Sequence, residues 1–139
     1  MRGWVFAKRS SWAARWLPLL IAMGVIFFVS NQPSYDLPSF GLLDLTVKKA
    51  GHFVAYAGLA LLALRAVWGG KRPYLAAILI VFLYSVSDEF HQTFIPGRNG
   101  TPVDVAIDMF GALTCLWLIY WRQWTPQPQL LAKEPSLKQ

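Results

Sequence analysis

Charge is scarce in this sequence. Of 139 residues, 13 are Lys or Arg and 7 are Asp or Glu, 14% in all, where soluble domains carry roughly a quarter. There is one cysteine, Cys115, which excludes an internal disulfide and a cysteine-based zinc site. It reads as a small apolar residue inside a helix. The 2 histidines, His52 and His91, show neither HExxH nor any comparable spacing, so no metal site and no cofactor are expected. GxSxG, Walker and GxGxxG patterns are missing as well. No repeat or low-complexity block is present.

What remains is apolar. The chain is 55% hydrophobic and 15% aromatic, with a mean hydropathy of +0.40. That excludes a disordered chain and an ordinary soluble domain. The net charge of +6 does not point to nucleic acid, because the basic residues are scattered through apolar stretches rather than gathered on a phosphate-tracking face. A bilayer is the fitting solvent.

Crossing a bilayer takes about 20 apolar residues. Four stretches qualify, at about 12–30, 50–68, 74–94 and 103–121. The expected fold is therefore an all-α membrane protein, a four-transmembrane-helix bundle occupying residues 1–124, followed by a proline-bearing C-terminal tail at 125–139. The first stretch lacks a small residue three before a cut site after Ser30, so it reads as a retained helix rather than a cleaved signal. Gly69-Gly70 with Lys71-Arg72-Pro73 reads as a tight turn between antiparallel helices.

Orientation follows from the basic residues. One side would hold Arg2, Lys8, Arg9, Arg15, Arg65, Lys71, Arg72, Arg122, Lys133 and Lys138. The other would hold Lys48, Lys49 and Arg98. The richer side is expected to be cytoplasmic, with both termini inside. Tryptophans 4, 12, 16, 68, 117, 121 and 124 fall near that same face, as headgroup anchors do.

The polar residues gather at the opposite ends of the spans. Lys48, His52 and Tyr56 recur every four residues on span two and share a helix face, with Lys49 beside them. Ser85, Glu89 and Gln92 share a face of span three, with Asp88 alongside. Span four opens with Asp104 and, a turn deeper, Asp108. Ionisable groups at membrane depth are costly, so these acids should turn into the bundle, where Lys48, His52 and Arg98 can offset them. Four carboxylates facing fewer cations should share a proton or raise one pKa, which would poise an acid or base.

Several residues carry two readings. Thr101-Pro102-Val103-Asp104 fits a capping box, so Asp104 is either a cap or a site residue. Arg98, in a Pro-Gly-Arg-Asn-Gly loop beside a helix start, is either an anion clamp or a salt-bridge partner of Asp88 or Glu89. Tyr56 is a hydrogen-bonding packing residue or an acid. The residues proposed for chemistry are His52, Asp88, Glu89 and Asp108. Those proposed for ligand contact are Lys48, Lys49, Tyr56, Gln92, Arg98 and Asp104.

At these residues the chain resembles the VanZ-like family of small bacterial membrane proteins. The resemblance runs from about Phe27 to Gly111. It rests on Ser30-Asn31-Gln32, on Lys49-Ala50-Gly51-His52-Phe53-Val54-Ala55-Tyr56, and on the run from Ser87 to Arg98, whose DE-x-x-Q-x-F-x-P-G-R is specific. Asp104, Asp108 and Gly111 match a D-x-x-x-N/D-x-x-G pattern, with Asp108 where many relatives carry Asn. The resemblance implies a multi-pass protein of the bacterial cytoplasmic membrane. The family is named for a member associated with teicoplanin resistance, and the resemblance implies no settled reaction. Membrane lipids are the expected partners, together with a lipid-linked cell-wall precursor or a glycopeptide. Three roles are compatible with these residues: an extracytoplasmic-side pocket binding an anionic envelope lipid, precursor or glycopeptide; an enzyme acting on a lipid headgroup; and a polar cluster that ties the helices together.

Overall fold

The structure, a computed structural model, describes residues 11–33, 35 and 41–124. The N-terminal basic residues Arg2, Lys8 and Arg9 and the tail at 125–139 lie outside the described residues. Four α-helices follow in order: α1 Trp12–Ser30, α2 Asp44–Val67, α3 Pro73–Gln92 and α4 Pro102–Trp124, with a 3-10 turn Gly41–Leu43 leading into α2. All four are long and apolar enough to cross a bilayer. No strand occurs among the described residues.

The helix ends follow local chemistry. Ser11 caps α1, its Oγ accepting from the Ala14 backbone N–H at 3.2 Å. Pro73 opens α3 and Pro102 opens α4, where the missing N–H costs nothing. The start of α2 differs from the sequence expectation of about residue 50, since the helix already begins at Asp44. Hydropathy marks only the apolar part of a helix. Its first turns are polar, and Asp44 and Lys48 support them as an i,i+4 pair at 2.7 Å.

Helix α2 is the centre of the bundle. It packs most extensively on α4 and also on α3 and α1, while the α1 and α3 backbones lie farther apart and meet through side chains. The core is built of small residues and a few large ones: Ala60, Ala63, Ala66, Leu59 and Leu64 from α2, Ala77 and Val81 from α3, Ala112 and Leu116 from α4, Leu19 from α1. Small residues let backbones approach, which drives helix association where lipid is as apolar as the core. Large apolar side chains point outward instead, Phe28, Leu83, Phe110 and Trp117 each being at least 60% exposed. Such a surface suits acyl chains.

Gly111 marks the closest approach of α2 and α4. A Cβ there would overlap the Phe53 carbonyl. Gly111→Val is therefore expected to cost about 1–3 kcal/mol, with Gly111→Ala in between. Thermal unfolding in mild detergent checks it, and three equal midpoints would contradict the close contact.

Arg15 joins the other end of the bundle. Its Nη2 donates to the Ala66 carbonyl at 2.5 Å and the Trp68 carbonyl at 2.6 Å, free groups at the C-terminus of α2 that favour a cation.

Candidate functional site

The C-termini of α1 and α3 and the N-termini of α2 and α4 meet at one end of the bundle. Between them lies a cavity of about 850 Å³. Its apolar lining is Val25, Ile26 and Val29 of α1, Leu45 and Ala55 of α2 and Val103 of α4. Its ionic lining is Lys48, Lys49, His52, Glu89, Arg98 and Asp104.

Of the lining residues, His52 has its Nδ1 3.1 Å from Oδ1 of Asp108, which lies behind the lining, and 3.8 Å from Glu89 Oε1. Asp108 is fully buried, and its second oxygen accepts from Ser85 Oγ at 2.7 Å. Glu89 Oε2 accepts from the Thr101 backbone N–H at 3.2 Å. That bond needs the loop to lie flat on the end of α3, which Gly100 permits, since a Cβ there would overlap the Glu89 carbonyl.

A second knot surrounds Asp88, which is 2% exposed. Its Oδ2 accepts from Ser30 Oγ at 2.9 Å, Tyr56 hydroxyl at 3.2 Å and Gln92 Nε2 at 3.2 Å. Gln92 Nε2 also lies 3.4 Å from Glu89 Oε1, so one amide joins the two acids. Tyr56 is thereby a hydrogen-bonded core residue. Nearby, Tyr84 hydroxyl donates to the Met23 carbonyl at 2.6 Å, tying α3 to α1.

At the rim, Lys49 Nζ bonds Asp104 Oδ1 at 2.7 Å, and Lys48 bonds Asp44 at 2.7 Å. The cap on α4 forms: the Asp104 N–H donates to Thr101 Oγ1 at 3.2 Å, and Thr101 Oγ1 donates to Asp104 Oδ2 at 2.7 Å. Asp104 is thus both cap and rim residue.

Two expectations need correction. Lys48 was expected to offset the buried acids, yet it pairs with Asp44, which the early start of α2 brings one turn before it. Arg98 was expected to clamp an anion or bridge to Asp88 or Glu89, and it is the bridge that does not form among the described residues. Instead its Nε donates to the Gln32 carbonyl at 2.9 Å, its Nη2 to the Val29 carbonyl at 2.9 Å and its Nη1 to Gln92 Oε1 at 3.2 Å. The guanidinium fastens the loop to the end of α1, whose free carbonyls attract a cation. Burial pushes its pKa below the ordinary arginine value, against the pull of Asp88 and Glu89. His91 lies outside the cavity lining, with Nε2 3.1 Å from Asn31 Oδ1.

Ser30 and Ser85 were not among the expected site residues, though both hold a buried carboxylate. The signal for Ser85 was its shared face with Glu89. Ser30 offered no such spacing, because its partner lies on another helix.

These features define a four-span membrane protein whose buried polar side chains are collected at one end of the bundle. A family model described as VanZ/LLP1 matches residues 12–123. The chain belongs to this VanZ-like family. No curated protein and no solved structure matches it.

Proposed function

We propose that the cavity binds the head of an anionic amphiphile of the cell envelope, either a membrane lipid or a lipid-linked cell-wall precursor, from the extracytoplasmic leaflet of the bacterial cytoplasmic membrane. The observation that carries this reading is the mixed lining: apolar residues of α1, α2 and α4 share one space with ionic residues of α2, α3, α4 and the loop between α3 and α4. A volume of about 850 Å³ suits a head group and the first carbons of its tail rather than an entire glycopeptide. The rim favours an anion. Lys49 is 42% exposed in its pair with Asp104, and half-exposed pairs are worth only about 0–1 kcal/mol, so a phosphate can take the lysine from its partner. The N-terminus of α4 adds a favourable field there. The basic-residue bias of the sequence supports the extracytoplasmic orientation.

A second reading, acid/base chemistry on the bound head group, draws on one bond. With His52 Nδ1 engaged by Asp108, Nε2 is the remaining nitrogen able to take or give a proton. Glu89 stands beside it. Here Glu89→Gln should alter the profile of lipid-linked intermediates in membranes, while simple capture leaves that profile unchanged.

Binding is tested by mass spectrometry of lipids that co-purify with the full chain in mild detergent. Enrichment of an anionic lipid over its share in bulk membrane is expected. Ala55→Trp, which fills space at the apolar lining, should abolish the enrichment, and Lys49→Ala should lower it. Bulk composition in the wild-type preparation, or enrichment indifferent to Ala55→Trp, would sink the proposal.

A further inference from the structure

Around and behind the cavity lining, the polar end of the bundle gathers more buried acid than base. Asp88, Glu89 and Asp108 are each no more than 4% exposed. His52 is the basic side chain that meets Glu89 and Asp108 together. Lys49 is engaged by Asp104, and Arg98 by backbone carbonyls and Gln92. Carboxylates inside a bilayer-spanning bundle are expensive unless balanced, and the balance comes from protons or from a cation.

The geometry points to a divalent cation bound by His52 Nδ1, Asp108 Oδ1 and Glu89 Oε1. One potential ligand atom from each residue lies within 4.8 Å of the others. Two ligands ~2.1 Å from one ion, about 90–110° apart, are roughly 3.0–3.4 Å from each other. The His52–Asp108 separation of 3.1 Å meets that spacing, and the His52–Glu89 separation of 3.8 Å meets it after a small inward turn of Glu89. The outer oxygens are already fixed. Ser85 holds Asp108 Oδ2, and the Thr101 N–H holds Glu89 Oε2, which leaves the inner oxygens aimed toward the imidazole. Hydrogen-bonded carboxylates of this kind orient ligands in metal sites.

A separate observation points the same way. Asp88 Oδ1 is buried with no hydrogen-bond partner among the described residues, and the Gln92 amide links its carboxylate to Glu89. A buried oxygen left unsatisfied beside the cluster calls for a further partner, and a cation is one that would also offset the excess acid. One imidazole nitrogen with carboxylate oxygens suits Zn²⁺ or Mn²⁺ better than an all-oxygen cation. Three ligands leave further positions open toward the cavity, where they would meet the phosphate of a head group. The inference goes beyond the amphiphile reading and does not need it to be right.

The test uses the full chain in detergent, stripped with a chelator, then given Zn²⁺ or Mn²⁺, with Mg²⁺ and Ca²⁺ in parallel. Elemental analysis after desalting is expected to find about one Zn²⁺ or Mn²⁺ per chain, with a raised unfolding temperature. His52→Gln and Asp108→Asn should each lower retention by at least about tenfold, and His91→Ala should leave it unchanged. Should Asp108→Asn fail to fold, the partly exposed His52 supplies the deciding variant. Wild-type protein that is folded yet retains neither metal would overturn the inference. So would equal retention by His52→Gln, or protection by Mg²⁺ or Ca²⁺ alone. Ala55→Trp separates the two proposals, since it should lose the lipid and keep the ion.

Discussion

Asp88→Ala is expected to destabilise the bundle by about 1–3 kcal/mol, the effect of leaving buried neutral donors without their acceptor. Three donors from three helices, Ser30, Tyr56 and Gln92, converge on one oxygen of this residue. Truncation leaves all three without their common acceptor, in surroundings where water does not readily replace it. Asp88→Asn retains one acceptor oxygen and should recover much of the loss, because the three bonds need an oxygen rather than a full charge. The measurement is thermal or denaturant unfolding in detergent, together with the yield of monodisperse protein. A fully stable alanine variant would mean that the knot contributes nothing to the fold, and the interest of Asp88 would then lie in its unpartnered oxygen alone.

Arg98→Ala should loosen α1 by about 2–3 kcal/mol, the scale of charge-assisted hydrogen bonds. The arginine contacts the Val29 and Gln32 carbonyls and the Gln92 side chain at once. A lysine offers one compact charge and cannot reproduce that fork, so Arg98→Lys should fail to restore the stability. A cysteine placed at position 25, in a Cys115→Ser background, reports the effect through maleimide labelling, since Val25 lines the cavity. Faster labelling is expected in both Arg98 variants. If labelling is unchanged while anionic lipid is lost, Arg98 is an anion clamp after all and its bonds to α1 are incidental.

The two variants also show which parts of the molecule were legible in the sequence. Length and hydropathy are local properties, so four spans, their order and the polar ends could be read directly. Helical spacing put Ser85, Glu89 and Gln92 on one face, and connectivity brought the starts of α2 and α4 to the same end as the finish of α3. Rotation of one helix against another is set by packing, which no spacing rule reports. Lys48 was assigned to the buried acids for a different reason, since a span read from about residue 50 left Asp44, its i,i+4 partner, outside the helix. Arg98 was assigned to carboxylates because charge is visible in a sequence, whereas carbonyls at a helix end are not. The convergence of His52, Glu89 and Asp108 was legible as acids turning inward to meet a base, and the structure brings them together, but their spacing as a set of three ligand atoms was not. Ligand motifs are recognised when they sit on one helix, and these three come from α2, α3 and α4.

Helix α1 is fastened at its two ends by chemistry that becomes available at different moments of synthesis. Arg15 finds its acceptors 51 and 53 residues downstream, as soon as α2 is complete. Ser30 and the Val29 carbonyl must wait for partners 58 and 69 residues away, supplied by α3 and the loop after it. Although α1 precedes the other three helices in the chain, its far end is therefore secured only by residues as late as Arg98, so its two ends depend on widely separated parts of the sequence.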